Sequence, residues 1–400
     1  MKSLSATAGK PLRRYGTRTL PIAGLNPDRV RPWLGLLLLA LVVKAVLVTL
    51  TLVEFGAAPD PLTALGRAWD HWDAQHYLYL ATHGYSATGD ARNLIAFFPL
   101  YPALISAIAA TGLPARSAAL LISNVAGVVA AILLYEIAAA PGVERAADSP
   151  RQELRENAAF RAAAFFVVFP TAYFLLVGYT EALFCALAFG AVLAARRQRW
   201  LLAGMLGGLA AAARLTGLAL LPVLVIELVE ARQALRAIWQ AVLAPALIVL
   251  GFLTYLLTNL VVLGDAFAFV SVQRQHWSHS LSPPWVGFAD AIRGISWRVP
   301  WEKLTVGGGE AIGGIAAYAT TTLSWVRLRP SDAAYATVLT VMVTFLPFWL
   351  SIPRYLLAMY PLFLLVGRID QRWIYLPMVV VSFVGLLVFG LAFGRGYWAF

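Results

Sequence analysis

Ile95-Ala96-Phe97-Phe98-Pro99-Leu100-Tyr101-Pro102-Ala103-Leu104-Ile105-Ser106-Ala107-Ile108-Ala109-Ala110 is the stretch on which the topology of this chain turns. It is apolar enough to enter a membrane, but it is short and carries Pro99 and Pro102 near its start. A helix needs about 20 apolar residues to cross a hydrocarbon layer of ~30 Å. If this stretch spanned, the segment 141–157 with its three arginines would face outward. Arg196, Arg197 and Arg199 would then be hard to keep on the cytoplasmic side, against the positive-inside bias. If the stretch lies in the interface, the later charges fall where that bias puts them. The interfacial reading is adopted here.

Working outward, residues 33–53 form a first transmembrane helix. They follow a basic tail in which Lys2, Lys10, Arg13, Arg14, Arg18, Arg29 and Arg31 stand against Asp28 alone. The tail has no A-x-A cleavage site, and the apolar run after it is too long for a signal peptide, so the N-terminus is expected in the cytoplasm. Residues 54–116 become an outer loop. Its first part carries Glu54, Asp60, Asp70, Asp73 and Asp90 against Arg67 and Arg92.

Composition sets the class. Of 400 residues, 60% are hydrophobic and 13% charged, with a mean hydropathy of +0.74. Soluble domains carry roughly a quarter charged residues. The excess of apolar surface calls for lipid, so the expected fold is all-α: a polytopic integral membrane protein with about eleven transmembrane helices and juxtamembrane helices in the first outer loop. Residues 1–32 read as a cytoplasmic tail and 33–400 as a single transmembrane domain with outer loops 54–116 and 264–305. The net charge of +11 is concentrated in the tail and short loops, which excludes a nucleic-acid partner and leaves the bilayer as the partner for that charge. The single cysteine, Cys185, excludes an internal disulfide.

The remaining spans are expected over 117–140, 160–177, 182–195, Trp200–Ala213, 218–229, 237–263, 312–325, 333–350, 356–366 and 373–393. This topology brings Asp73, Glu181, Arg214, His276 and Arg354 to the outer membrane face.

Asp73 lies in His71-Trp72-Asp73-Ala74-Gln75-His76-Tyr77 and reads as a general base beside the bilayer, or alternatively as a helix cap. Asp70 is the better cap for a helix starting there. His71 and His76 are five apart, which is not the four-residue zinc spacing, so they are expected to hydrogen-bond substrate or to anchor the helix to its loop, and no metal and no cofactor is expected. Glu181 is a hydroxyl acceptor, an orienter of an arginine, or a solvated turn residue. Arg214 sits in a broken apolar hairpin and Arg354 at a helix junction; both suit phosphate or carboxylate, or snorkel to the interface. Gln275, His276 and Trp277 read together as a sugar-contacting cluster in the second outer loop, with Trp277 alternatively an interfacial belt residue. Lys44 lies midway along the first helix and requires an internal partner or a lipid phosphate.

Taken in order, Trp72-Asp73-x-x-His76-Tyr77, His83-Gly84-Tyr85, Ala96-Phe97-Phe98-Pro99-Leu100-Tyr101-Pro102, Phe169-Pro170-Thr171-Ala172, Tyr179-Thr180-Glu181, Arg214-x-Thr216-Gly217 and Ser351-x-Pro353-Arg354-Tyr355 resemble one family. It comprises the bacterial relatives of the GPI-anchor mannosyltransferase that adds the second mannose, within the GT-C class of polyprenyl-phosphate-sugar-dependent glycosyltransferases. The resemblance runs from about Trp69 to Pro361 and departs at Leu215, where relatives often have proline. It implies a polyprenyl-phosphate mannose donor used at the non-cytoplasmic face of the cell membrane, a lipid or glycan acceptor, and an acidic base in the first outer loop, which maps onto Asp73. It also places Tyr77 and Tyr355 among substrate-binding residues and makes the segment after the loop juxtamembrane.

The expected reaction is an inverting displacement. Asp73 takes the acceptor proton, and Arg354 or Arg214 stabilises the departing phosphate. A lipid-linked-sugar flippase or small-solute transporter is the rival reading, weakened by the absence of an internal repeat. A membrane acyltransferase, which would also use a histidine–aspartate pair, is a second.

Overall fold

The structure is a computed structural model that describes residues 27–55, 60–140, 152–231 and 238–400. Most of the basic tail and the segments 56–59, 141–151 and 232–237 lie outside the described residues. Among the described residues every regular element is helical.

The order is α1 (Pro27–Phe55), α2 (Pro61–Trp69), α3 (Asp73–His83), a 3-10 segment Asp90–Ala96, and α4 (Leu100–Ala109). Then come α5 (Ala115–Ala139), α6 (Gln152–Val167), α7 (Glu181–Arg196), α8 (Trp200–Ala213), α9 (Leu220–Glu230) and α10 (Ile238–Leu263). Next are α11 (Ala268–Gln275), α12 (Pro284–Trp297) and the single turn α13 (Pro300–Glu302). The last are α14 (Glu310–Arg327), α15 (Pro330–Thr344), the turn α16 (Ile352–Tyr355), α17 (Tyr360–Gly367) and α18 (Arg372–Gly394).

The stretch that decided the topology does not run straight. Asp90–Ala96 meets α4 at 111°, and α4 is only 10 residues long. That is about 15 Å of helix, half of what a crossing needs.

Where about eleven spans were expected, four described helices are long and apolar enough to cross by themselves: Val30–Phe55, Ala115–Ala139, Trp239–Leu263 and Arg372–Gly394. The other segments are shorter or less apolar helices, such as α7, α8 and α14, or are interrupted. The one expected over 160–177 stops at Val167, ahead of Pro170 and the 3-10 turn Ala172–Leu175. The one expected over 333–350 stops at Thr344. Those expected over 218–229 and 356–366 have 3-10 turns at or before their starts, Leu215–Ala219 and Leu356–Ala358. Proline removes an amide donor and clashes with the preceding turn, which accounts for the stop before Pro170. The chain is a polytopic all-α membrane protein in which several helices end inside the bundle.

α7 is the axis of the core. It is buried along most of its length and packs on α5, α8 and α9. A helix apolar all round belongs at a centre, not on a face. α8 and α10 approach backbone to backbone: a Cβ on Gly251 would lie 1.9 Å from the Gly208 carbonyl oxygen. Without a hydrophobic drive between helices in lipid, such close contact supplies the association. Lys44 has found its internal partner in main chain and amide, donating to Asn124 O and Asn124 Oδ1 (both 3.0 Å) and Leu175 O (3.2 Å). With the Asn124 amide donating to Leu176 O (3.2 Å), it holds the broken stretch between α6 and α7, whose carbonyls have no helical partners.

Candidate active site

Three interruptions of helix, at 168–180, at 214 and at 345–351, meet the start of α3 and bring four charged side chains into one chain of contacts. The Arg354 Nη1 donates to Asp73 Oδ2 (2.8 Å) and its Nε to Glu181 Oε1 (2.5 Å). Arg214 Nη1 donates to the same glutamate oxygen and to Thr180 Oγ1 (2.9 Å). Tyr77 is buried beside them, its hydroxyl 3.4 Å from Thr180 Oγ1. The guanidinium of Arg354 lies over Phe174 (4.9 Å) and Tyr179 (4.8 Å), and that of Arg214 over Tyr355 (5.1 Å). Aromatic faces favour a cation that has left water.

The members differ in access. The Asp73 side chain is 21% exposed, against 4% for Glu181, 8% for Arg354 and 13% for Arg214. Glu181 is therefore enclosed between the two arginines, and Asp73 is the more exposed of the two acids. Two guanidiniums and two carboxylates cancel in charge. Yet Arg354 Nη2 and Arg214 Nε and Nη2 have no acceptor among the described residues, so both forks keep donors for an incoming anion.

Asp73 is held by backbone geometry. It is the first residue of α3, and Trp72 before it has φ +54°, a region costly for a bulky side chain. The turn is pinned from two sides. Tyr179 OH donates to His71 O (3.0 Å), and His71 Nε2 lies 3.2 Å from Gly394 O at the end of α18. The Trp72 ring stands edge-on to Trp398, centroids 5.1 Å apart. The helix has no side-chain cap, so the capping alternative for Asp73 does not hold. Nor is Asp70 the cap of α3: it ends α2 and accepts from Arg116 Nε (2.5 Å).

Of the residues singled out in the sequence, Asp73, Tyr77, Glu181, Arg214, Arg354 and Tyr355 converge. His76 borders them. It packs on Phe97 (5.1 Å) and faces Trp277 edge-on (6.3 Å), and Trp277 in turn touches the His276 ring (5.1 Å). Burial pushes the His76 imidazole below its ordinary value, against the pull of Asp73 and with a small push from His276. Gln275 and His276 end α11 as exposed residues. The His71 side chain points away from the charged group, toward α18. Among the described residues no three His, Cys, Asp or Glu side chains stand together as a metal site would require.

One residue escaped the sequence reading. Glu310 opens α14 fully buried, with no cation beside it among the described residues. Its carboxylate accepts the N–H groups of Ser351 (2.5 Å) and Ile352 (2.8 Å), the start of the turn that carries Arg354. Ser351 has φ +70°, so this turn too is held against its own preference. The available signal was a lone glutamate after Gly307-Gly308-Gly309 in an apolar stretch.

Among the described residues several buried polar atoms have no hydrogen-bond partner, among them Glu181 Oε2, Thr216 Oγ1, Trp277 Nε1 and Trp398 Nε1, and also Arg196 Nε and Asp332 Oδ2 at the other end of α7.

Residues 63–301 match the family described as Mannosyltransferase (PIG-V). Among individual proteins, the chain is similar to GPI alpha-1,6-mannosyltransferase 2 of Rattus norvegicus, 33% identical over 177 residues, which are 42% of this chain and 33% of the relative. The Mus musculus protein of the same name is 34% identical over 176 residues, again 42% and 33%. The Homo sapiens protein is 32% identical over 160 residues, 37% of this chain and 29% of the relative. The matched part spans about a third of the length of these relatives. The family match contains Asp73, Glu181, Arg214, Gln275 and His276 but ends before Glu310 and Arg354.

Proposed function

The chain belongs to the mannosyltransferase (PIG-V) family, and on that premise we propose that it is a membrane glycosyltransferase moving mannose from a polyprenyl-phosphate donor to an acceptor hydroxyl. Residues 33–400 act as one GT-C-like membrane domain, with the N-terminus in the cytoplasm and the site facing outward. The acceptor is a lipid or glycan hydroxyl.

The observation that carries this reading is the single chain of contacts from Asp73 through Arg354 and Glu181 to Arg214, most exposed at its Asp73 end. Asp73 Oδ1 accepts the acceptor's hydroxyl proton as that oxygen attacks the anomeric carbon. The bond from that carbon to the phosphate oxygen breaks on the opposite face, so configuration inverts. A phosphate leaves without protonation by a paired carboxylic acid, unlike the alkoxide of a glycoside. What it needs is positive charge where its negative charge grows, and the free donors of Arg354 and Arg214 supply it in a site largely shielded from water. Glu181 keeps both guanidiniums in place between turnovers. His76, Tyr77, Gln275, His276 and Tyr355 form the surrounding binding surface, and His71 supports the turn that carries Asp73.

The test is Asp73→Asn in the purified protein with radiolabelled polyprenyl-phosphate mannose. Transfer should fall by about 10²–10⁴-fold, the usual contribution of a general base, while the melting temperature is unchanged. Full transfer by the variant would remove Asp73 as the base. Movement of label across vesicles with no glycosidic product would favour the transporter reading.

A further inference from the structure

On the side of the first outer loop away from Arg354, α2, the start of α3 and the start of α5 enclose an open cleft of about 470 Å³. Its lining includes Thr63, Arg67, Asp70, His71, Gln75 and Arg116. We propose that this cleft binds the phosphate of an anionic phospholipid headgroup.

Two arginines face one lining carboxylate. Arg116 Nε is bonded to Asp70 (2.5 Å), whereas Arg67, exposed on α2, has no ion-pair partner among the described residues. Asp60, which caps α2 through the Thr63 amide (3.0 Å) and hydroxyl (2.7 Å), feels the field of Arg116 but does not line the cleft. Asp70 is further tied down by its backbone, whose carbonyl accepts the Gln75 amide (2.7 Å). The cleft therefore keeps one uncompensated guanidinium, with a second beside it and an imidazole at its edge. A guanidinium fork fits phosphate oxygens, and two set side by side with neutral donors are the donor set a phosphodiester requires.

The shape is built for Arg116. A Cβ on Gly66 would lie 2.5 Å from its Cζ and 2.6 Å from its Nε, so the guanidinium lies flat on α2 only because that residue is glycine. Depth fits as well. Arg116 is the second residue of α5, one of the four helices long and apolar enough to cross the membrane. The end of such a helix sits where hydrocarbon gives way to headgroups, and cations at that level meet lipid phosphate. The cleft also backs onto the candidate active site: His71 lines it, while the His71 carbonyl accepts from Tyr179, the ring beneath Arg354.

The test is a binding titration of the detergent-purified full chain with dihexanoyl phosphatidylglycerol below its micelle concentration, and separately with inorganic phosphate. The lipid should bind the native protein. Affinity should weaken about tenfold in Arg67→Gln, the loss of one charge-assisted hydrogen bond, and comparably in Gly66→Ala, which displaces Arg116 while favouring the helix. Melting temperatures should not move. Equal lipid affinity in native protein and both variants overturns the proposal. Inorganic phosphate binding as tightly as the lipid, with the same sensitivity to Arg67→Gln, overturns the lipid assignment in favour of a soluble phosphate. Lipid binding should survive Asp73→Asn, which keeps this test separate from that of the transfer reaction.

Discussion

α7 carries a buried ion cluster at each end, and the two differ in kind. At its start, Glu181 joins Arg214, Arg354 and Asp73. At its end, about 24 Å away along the helix, Arg196 pairs with Asp332 (2.5 Å) and donates to Ile137 O (2.9 Å), while Tyr360 OH donates to Asp332 (2.6 Å). The Arg196–Asp332 pair is sealed, with side chains 3% and 0% exposed. It rests on regular ends of α7 and α15. The first cluster is open at Asp73 and rests on Trp72 and Ser351, both at positive φ. Buried charge alone therefore marks no site. Burial combined with an open edge and strained turns does, because unpaired polar atoms occur in both clusters, Arg196 Nε and Asp332 Oδ2 included, and only the open edge lets a substrate reach them.

Removing one cation from each cluster breaks the comparison most sharply. Arg354→Gln should cut transfer by about 10²–10³-fold, as loss of a preorganised donor does. Arg196→Gln should instead destabilise the protein by about 3–5 kcal/mol, since Asp332 would be left buried and unpaired. The checks are initial rates with radiolabelled donor and denaturation midpoints in detergent. If Arg196→Gln abolished transfer in fully folded protein, or Arg354→Gln acted only through stability, the distinction between an open and a sealed cluster would fall.

Glu310→Gln probes the support of the open cluster. An amide replaces one of the two accepting oxygens with a donor, directed at an N–H of Ser351 or Ile352. The turn bearing Arg354 should shift, and kcat should drop about tenfold with KM for the donor little changed, because a small misplacement is felt mainly in the transition state. A loss confined to thermal stability would make Glu310 a fold residue only.

How much of this was legible in the sequence follows from what each residue does. Charges in an apolar chain are conspicuous, so Asp73, Glu181, Arg214 and Arg354 could be picked out before their contacts were known. α8 could be placed residue for residue because it ends where Arg214 interrupts it. Hydropathy missed the breaks at 168–180 and 345–351, although Pro170 lies in the first and Pro347 in the second. Both segments stay apolar after the helix stops, and hydropathy does not register backbone geometry. Glu310 stayed hidden because it acts on main-chain amides, which leave no trace in side-chain pattern. Lys44 was read as needing an internal partner or a lipid phosphate; the partner it has is two carbonyls and one amide, again largely main chain. Asp70 was misassigned because its true partner, Arg116, lies 46 positions away.

The smallest expected effect concerns pH, on the open side of the molecule. Burial holds both His76 and His279 below their ordinary value of 6.5. His279 packs against Phe348, centroids 5.4 Å apart, and its Nδ1 lies 2.9 Å from Gln273 Oε1. A depressed imidazole takes up its proton in the unfolded chain before it does so in the folded one. Between the folded value and 6.5 the unfolded state therefore binds more protons, and stability rises with pH across that window. The contribution is complete above 6.5 and declines as pH falls through it. Melting temperatures in detergent from pH 7.5 down to 5 should show that decline, and His279→Gln should lessen it without altering transfer at pH 7.5. His279 is the cleaner probe because it is remote from Asp73, whose charge partly offsets the depression at His76. An unchanged acid decline in His279→Gln would assign the whole effect to other groups, His76 beside the site foremost among them.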